Sequence, residues 1–136
     1  MDEVVMAYYR KLVETGFEHA GSLEDASIFL ENFAEISPAC GGNTNDFMHI
    51  YINVVNEIIS DIKYRSICDQ TTNVAIEVLC TLVKGKTLGE VAGVTEQTFS
   101  RFLGSEDKRL QETAKDLLEF LNKGIADYRA QTGGAC

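Results

Sequence analysis

The chain has 136 residues, the size of one ordinary domain and enough to bury roughly two-thirds of its unfolded surface. Its 12 basic against 21 acidic residues give a formal charge of −9 with no basic stripe, which argues against nucleic-acid binding, where lysines and arginines must displace phosphate counterions. No apolar run approaches the roughly 20 residues of a membrane helix, and Met1-Asp2-Glu3 lacks the positive start of a signal peptide, so a soluble cytoplasmic protein with reduced thiols is expected.

Residues 3–14 set Val5, Tyr8, Tyr9 and Leu12 at spacings of three and four, the pattern of an amphipathic helix that Gly16 ends. The polar stretch to Asp25, with His19, Gly21 and Ser22, reads as an irregular connection. Ser27 to Ser37 is apolar and tolerant of extended backbone, and is expected to form a strand. From Asp46 to Val54, Met48, Ile50, Ile52 and Val54 share one face, while Phe47, His49, Tyr51 and Asn53 share the other. Ile58 to Ile67 alternates again, with Ile58, Ile62 and Tyr64 assigned to the dry face and Asp61, Lys63 and Arg65 to the wet one. Asn56 between the two runs predicts an antiparallel hairpin. Together these make a three-stranded antiparallel meander whose dry face helices must cover, an α+β fold.

The remainder reads as helix. Val74, Val78, Leu79, Leu82 and Val83 form the stripe of a helix over 70–84 that stops at Gly85. Thr87-Leu88-Gly89-Glu90 is a capping box, and a further short helix is expected over 96–102. Ser105-Glu106-Asp107 opens a long helix whose buried stripe is Leu110, Ala114, Leu117, Leu121, Ile125 and Tyr128. Residues 1–131 read as one domain, and 132–136 as a flexible Gly-rich tail ending in Cys136.

Four cysteines in a reducing setting read as metal ligands, reactive thiols or core filler. Cys40 sits in Pro38-Ala39-Cys40-Gly41-Gly42, where proline fixes the approach and two glycines let backbone come close to whatever the thiol holds. An ordinary turn that happens to contain a cysteine is the competing reading. Cys68 ends the hairpin's second strand just before a helix, where free N–H groups and the positive dipole end favour a thiolate; Asp69 beside it works the other way. Cys80 lies inside the helix that Cys68 precedes, twelve residues on and about 18 Å along the axis, and reads as a buried small hydrophobe. Two thiols underfill a tetrahedral shell, so a carboxylate, a histidine, water or a second chain must complete it; Asp46 and Asp69 are the nearest carboxylates in sequence. His19 and His49 have no zinc-site spacing and read as solvated or locally bonded side chains.

Pro38-Ala39-Cys40-Gly41-Gly42, then a hairpin, then Cys68 leading into a helix, resembles the NifU/IscU family of iron–sulfur cluster assembly scaffolds. Val83-Lys84-Gly85-Lys86-Thr87-Leu88-Gly89-Glu90 looks like that family's Val-Lys-Gly-Lys-Ser-Leu-Asp-Glu segment, and Ile125-Ala126-Asp127-Tyr128 like the end of its last helix. The resemblance runs through the chain in order and implies the NifU/IscU-like fold, with a cluster site formed by three cysteines and an aspartate. Cys40 and Cys68 match the first two ligand positions. The aspartate position holds Gly42, and the His-Cys pair expected early in the last helix falls on Glu112-Thr113 or Leu110-Gln111. The glycines flanking the second cysteine are replaced by Ile67 and Asp69, and the proline-rich chaperone-binding segment is absent around 103–110.

The resemblance implies a divergent scaffold, not an enzyme, that holds iron, accepts sulfur or carries a transient [2Fe-2S] cluster through Cys40 and Cys68. Its partners would be a cysteine desulfurase and cluster-accepting apoproteins, with a homodimer as one way to close the ligand shell. Two other readings stand beside it: a mononuclear zinc or iron site with mixed Cys/Asp ligands, and a ligand-free adaptor that keeps only a partner-binding surface.

Overall fold

The structure is a computed structural model, and it describes residues 2–31, 47–67 and 69–131. Helix α1 spans Glu3–Thr15, and its first free N–H groups, those of Val4 and Val5, are capped by the Asp2 carboxylate. Strand β1 (Ile28–Leu30) pairs antiparallel with β2 (Phe47–Val55), which pairs with β3 (Ile58–Ile67) in the order β1-β2-β3. The meander is therefore the expected one. The first strand is shorter than the expected Ser27 to Ser37 within the described residues, and its second half lies outside them.

Met48, Ile50 and Ile52 of β2 are buried on one face, as their alternation predicts. On β3 the phase differs from the sequence reading at one end. Asn53 pairs with Asp61 but Val54 pairs with Ile59, so Ser60 is an extra residue on β3. This bulge inverts the side-chain alternation beyond it. Ile59 is consequently buried and Ile58, assigned above to the dry face, is 40% exposed, while Ile62 and Tyr64 remain inward. Asn56 and Glu57 both have positive φ (53° and 65°), the two-residue turn whose twist suits a hairpin.

The helices follow the sequence closely. Helix α2 is Gln70–Val83, α3 Leu88–Val91, α4 Glu96–Leu103 and α5 Lys108–Gln131. Thr87 and Glu90 make the reciprocal capping box. Helices α2 and α5 pack together, α2 against β3 and α5 against β1, closing one face of the sheet. The Leu110, Ala114, Leu117, Leu121 and Ile125 stripe of α5 is buried, with Tyr128 packed against its end. Gly124 is what lets α5 lie close to β1: a Cβ there would stand 2.3 Å from Cδ2 of Leu30, so the helix accepts a residue that costs about 1 kcal/mol of propensity. Ser105 donates from Oγ to the Asp2 carboxylate at 2.9 Å, tying the start of α1 to the turn before α5.

Candidate functional site

Cys40, Asp46, Cys68 and Cys136 lie outside the described residues, as does the expected flexible tail. Phe47, which follows Asp46, and Ile67 and Asp69, on either side of Cys68, are described. Phe47 and Ile67 are Cα partners at the end of the β2–β3 ladder, so the chain enters β2 and leaves β3 at the same end of the sheet. There Ser66 donates from Oγ to Oδ1 of Asn73 at 2.9 Å, fastening the end of β3 to the first turn of α2. A cleft of about 640 Å³ opens beside this junction, lined among others by Tyr9, Phe17, Phe47, Ser66 and Ile67.

Asp69 is the one candidate ligand that is described. It is the N-cap of α2, with Oδ1 accepting the Thr72 N–H at 2.8 Å. Its Oδ2 meets the guanidinium of Arg109 from the first turn of α5. Both oxygens thus serve the helix junction. Among the described residues no three histidine, cysteine, aspartate or glutamate side chains are grouped to hold a metal ion.

His19 differs from its expected solvated state. It is 5% exposed, and it is bonded to Glu77, which lies 58 residues away on α2 and is 2% exposed. The backbone N–H of His19 donates to Oε1 of Glu77 at 2.9 Å, and Nδ1 of its ring lies 2.9 Å from Oε2. Since a carboxylate only accepts, Nδ1 carries the proton of that bond. The Tyr64 hydroxyl donates to Oε1 at 3.1 Å. The same connection is stitched to β3 by backbone bonds from Gly21 N–H to the Tyr64 carbonyl and from Tyr64 N–H to the His19 carbonyl. One buried carboxylate therefore clamps the 16–21 connection, β3 and α2 together, and that connection supplies Phe17, Ala20 and Gly21 to the cleft wall. The clue in sequence is Glu77 itself: an acid between Ile76 and Val78 of a helix buried nearly all round must find donors.

With this arrangement in view, comparison with known proteins is decisive. Residues 3–135 match the family described as NifU-like N terminal domain. The chain belongs to that family. Two curated relatives from Archaeoglobus fulgidus, named iron-sulfur cluster assembly scaffold proteins IscU 1 and IscU 2, are each 28% identical over 97 residues. The match covers 71% of this chain and 61% of each relative, so the aligned part spans about three-fifths of their length. Among solved structures, a putative scaffold protein for the SUF system from Fervidobacterium islandicum AW-1 has a TM-score of 0.53 at 18% identity, covering 95% of this chain and 86% of that one. A nitrogen-fixing NifU-like protein (N-terminal) from Brucella abortus has a TM-score of 0.58 at 13% identity, covering 99% and 95%. These two similarities concern the fold, and they agree with the α+β architecture above.

In this NifU-like domain Cys80 is the core filler that its neighbours predict, fully buried on α2. Burial, then the charge of Glu77, pushes its thiol pKa well up. Burial and Glu77 push the Tyr64 hydroxyl up too, since Glu77 needs it as a donor. Both groups bind their protons more tightly folded than unfolded. The stability they lend is fully present below their unfolded pKa values, about 8.5 for Cys and 10 for Tyr, and declines as pH rises above them. The unfolding free energy should fall by roughly 1.4 kcal/mol per pH unit for each group above its unfolded pKa. Cys80→Ala should remove the first part of that slope, between about pH 9 and 10, and leave the Tyr64 part; urea titrations across this range measure it.

Proposed function

We propose that this chain is a divergent iron–sulfur cluster assembly scaffold that carries iron, sulfide or a transient [2Fe-2S] cluster as cargo on the thiolates of Cys40 and Cys68, and does not itself catalyse a transformation. The observation that carries the reading is the family match over residues 3–135; Cys40 and Cys68 are assigned from the resemblance of their sequence segments to that family. The pairing of Phe47 with Ile67 supports it, because both cysteine-bearing stretches connect to the same end of the sheet. Cysteine thiolates suit iron and sulfide, and a shell short of four protein ligands suits release, since nothing encloses the cargo fully. A cysteine desulfurase would supply sulfur and apoproteins would receive the cluster, in a reducing cytoplasm. Asp46 or a second copy of the chain would supply a further ligand; Asp69 is engaged by Thr72 and Arg109.

That engagement favours a second reading, a ligand-poor adaptor that keeps the fold and a partner surface. Anaerobic incubation with ferrous iron and sulfide separates them. The scaffold is expected to develop visible charge-transfer bands with matching iron and acid-labile sulfide. Stoichiometric zinc without sulfide would indicate a mononuclear site instead. Neither metal nor sulfide, with a desulfurase still captured, would establish the adaptor and end the scaffold reading.

A further inference from the structure

The helices cover one face of the sheet, and the other face has an unusual composition for a solvent-facing surface. Phe29 of β1 is 46% exposed, with its ring 5.1 Å from Tyr51 and 5.3 Å from His49; the Phe47 ring is 4.9 Å from His49. Four rings therefore run continuously over β1 and β2. On β3, Lys63 is the cross-strand partner of Tyr51 and Arg65 that of His49, so two cations border the rings on the same face.

Among the described residues neither cation is neutralised by an acid. Arg65 makes no salt bridge among the described residues, and the Lys63 ammonium donates only to the backbone carbonyl of Glu18 at 3.1 Å. Asp61, the acid of β3 on that face, is paired with Lys84 at 3.4 Å. In a chain of net charge −9, a face of rings with two unpaired cations is a local reversal of the surface character. Aromatic residues and arginine are the residue types enriched at protein interfaces and at their energetic centres, whereas a purely solvated strand face is better served by small polar and mixed-charge side chains.

We propose that the open sheet face around Phe29, His49, Tyr51, Lys63 and Arg65 docks an acidic segment of a partner protein, its carboxylates on Lys63 and Arg65 and its apolar side chains on the rings. Charge complementarity selects the occupant: among the described residues of β2 and β3, the uncompensated charges on the face are positive. A single-stranded nucleic acid would also meet rings and cations, but its continuous phosphate charge is opposed by the acidic remainder of the molecule, while a short segment with interspersed carboxylates meets chiefly the local field. Docking on this face uses neither cysteine and does not depend on the cargo reading above.

The test is fluorescence anisotropy with the full chain and a labelled peptide alternating glutamate with phenylalanine, against its lysine–phenylalanine counterpart and an oligouridine. The glutamate peptide should bind in preference to both, more weakly as salt rises. Arg65→Glu and Phe29→Ser should each weaken it by about tenfold or more, with circular-dichroism melts confirming a retained fold; Arg65→Gln, which removes charge alone, should lie between. Equal binding of the lysine peptide, tighter binding of the oligouridine, unchanged affinity in folded Arg65→Glu, or no binding of the glutamate peptide would each overturn the proposal.

Discussion

Replacing Glu77 with alanine is expected to cost about 3–5 kcal/mol of folding stability, a large share of the 5–15 kcal/mol that a domain possesses. The cost comes from what is left behind. Without the carboxylate, the His19 N–H, its Nδ1–H and the Tyr64 hydroxyl lose their shared acceptor in a region that water does not reach freely. Each stranded donor costs about 1–3 kcal/mol, and the cavity left by the missing side chain adds to it. Glu77→Gln should be milder, about 1–2 kcal/mol: its carbonyl oxygen can still accept, but its NH₂ faces a histidine nitrogen that must then change from donor to acceptor. Urea denaturation of both variants, with His19→Ala and the double mutant, measures this directly. The double mutant should be less destabilised than the sum of the two single changes, because they remove the same bond. A folded Glu77→Ala that loses under about 1 kcal/mol would mean that the clamp contributes nothing.

The clamp also shows where sequence patterns stop being informative. Helix α2 was legible because Val74, Val78, Leu79 and Val83 repeat at helical spacing, and α3 because Thr87 and Glu90 stand at capping-box separation; both signals are local. The β2–β3 hairpin was legible from alternation and from Asn56, which tolerates positive φ. The bulge at Ser60 was not, because Ile58 and Ile59 are equally apolar and either phase satisfies the pattern; only the pairing with Val54 and Val55 decides which turns inward. His19 is a harder case. Its neighbours describe a polar connection, and its burial depends on an acid 58 residues later and on the edge of a strand in between. Likewise Asp69 looked like a spare carboxylate beside Cys68, whereas Arg109, 40 positions on, occupies it. Long-range polar pairings of this kind leave a mark only at the partner that is out of place, here the lone Glu77 in an apolar helix.

The occupancy of Asp69 bears on the thiol that precedes it. Alone, an aspartate next to Cys68 would oppose thiolate formation; paired with the Arg109 guanidinium and capping α2, its charge is offset while the positive end of the helix remains. If the cargo rests on these two thiolates as proposed, Cys68→Ser and Cys40→Ser are each expected to reduce reconstituted iron and sulfide at least about tenfold, since a serine hydroxyl is a far weaker donor to iron than a thiolate. Cys80→Ala should leave the cargo unchanged, because that thiol is sealed in the core about 15 Å along α2 from its first residue, Gln70. Iron, acid-labile sulfide and absorbance after anaerobic reconstitution, on variants shown to be folded, provide the measurement. Full cargo in the Cys40→Ser, Cys68→Ser double variant would remove both residues from the proposed site.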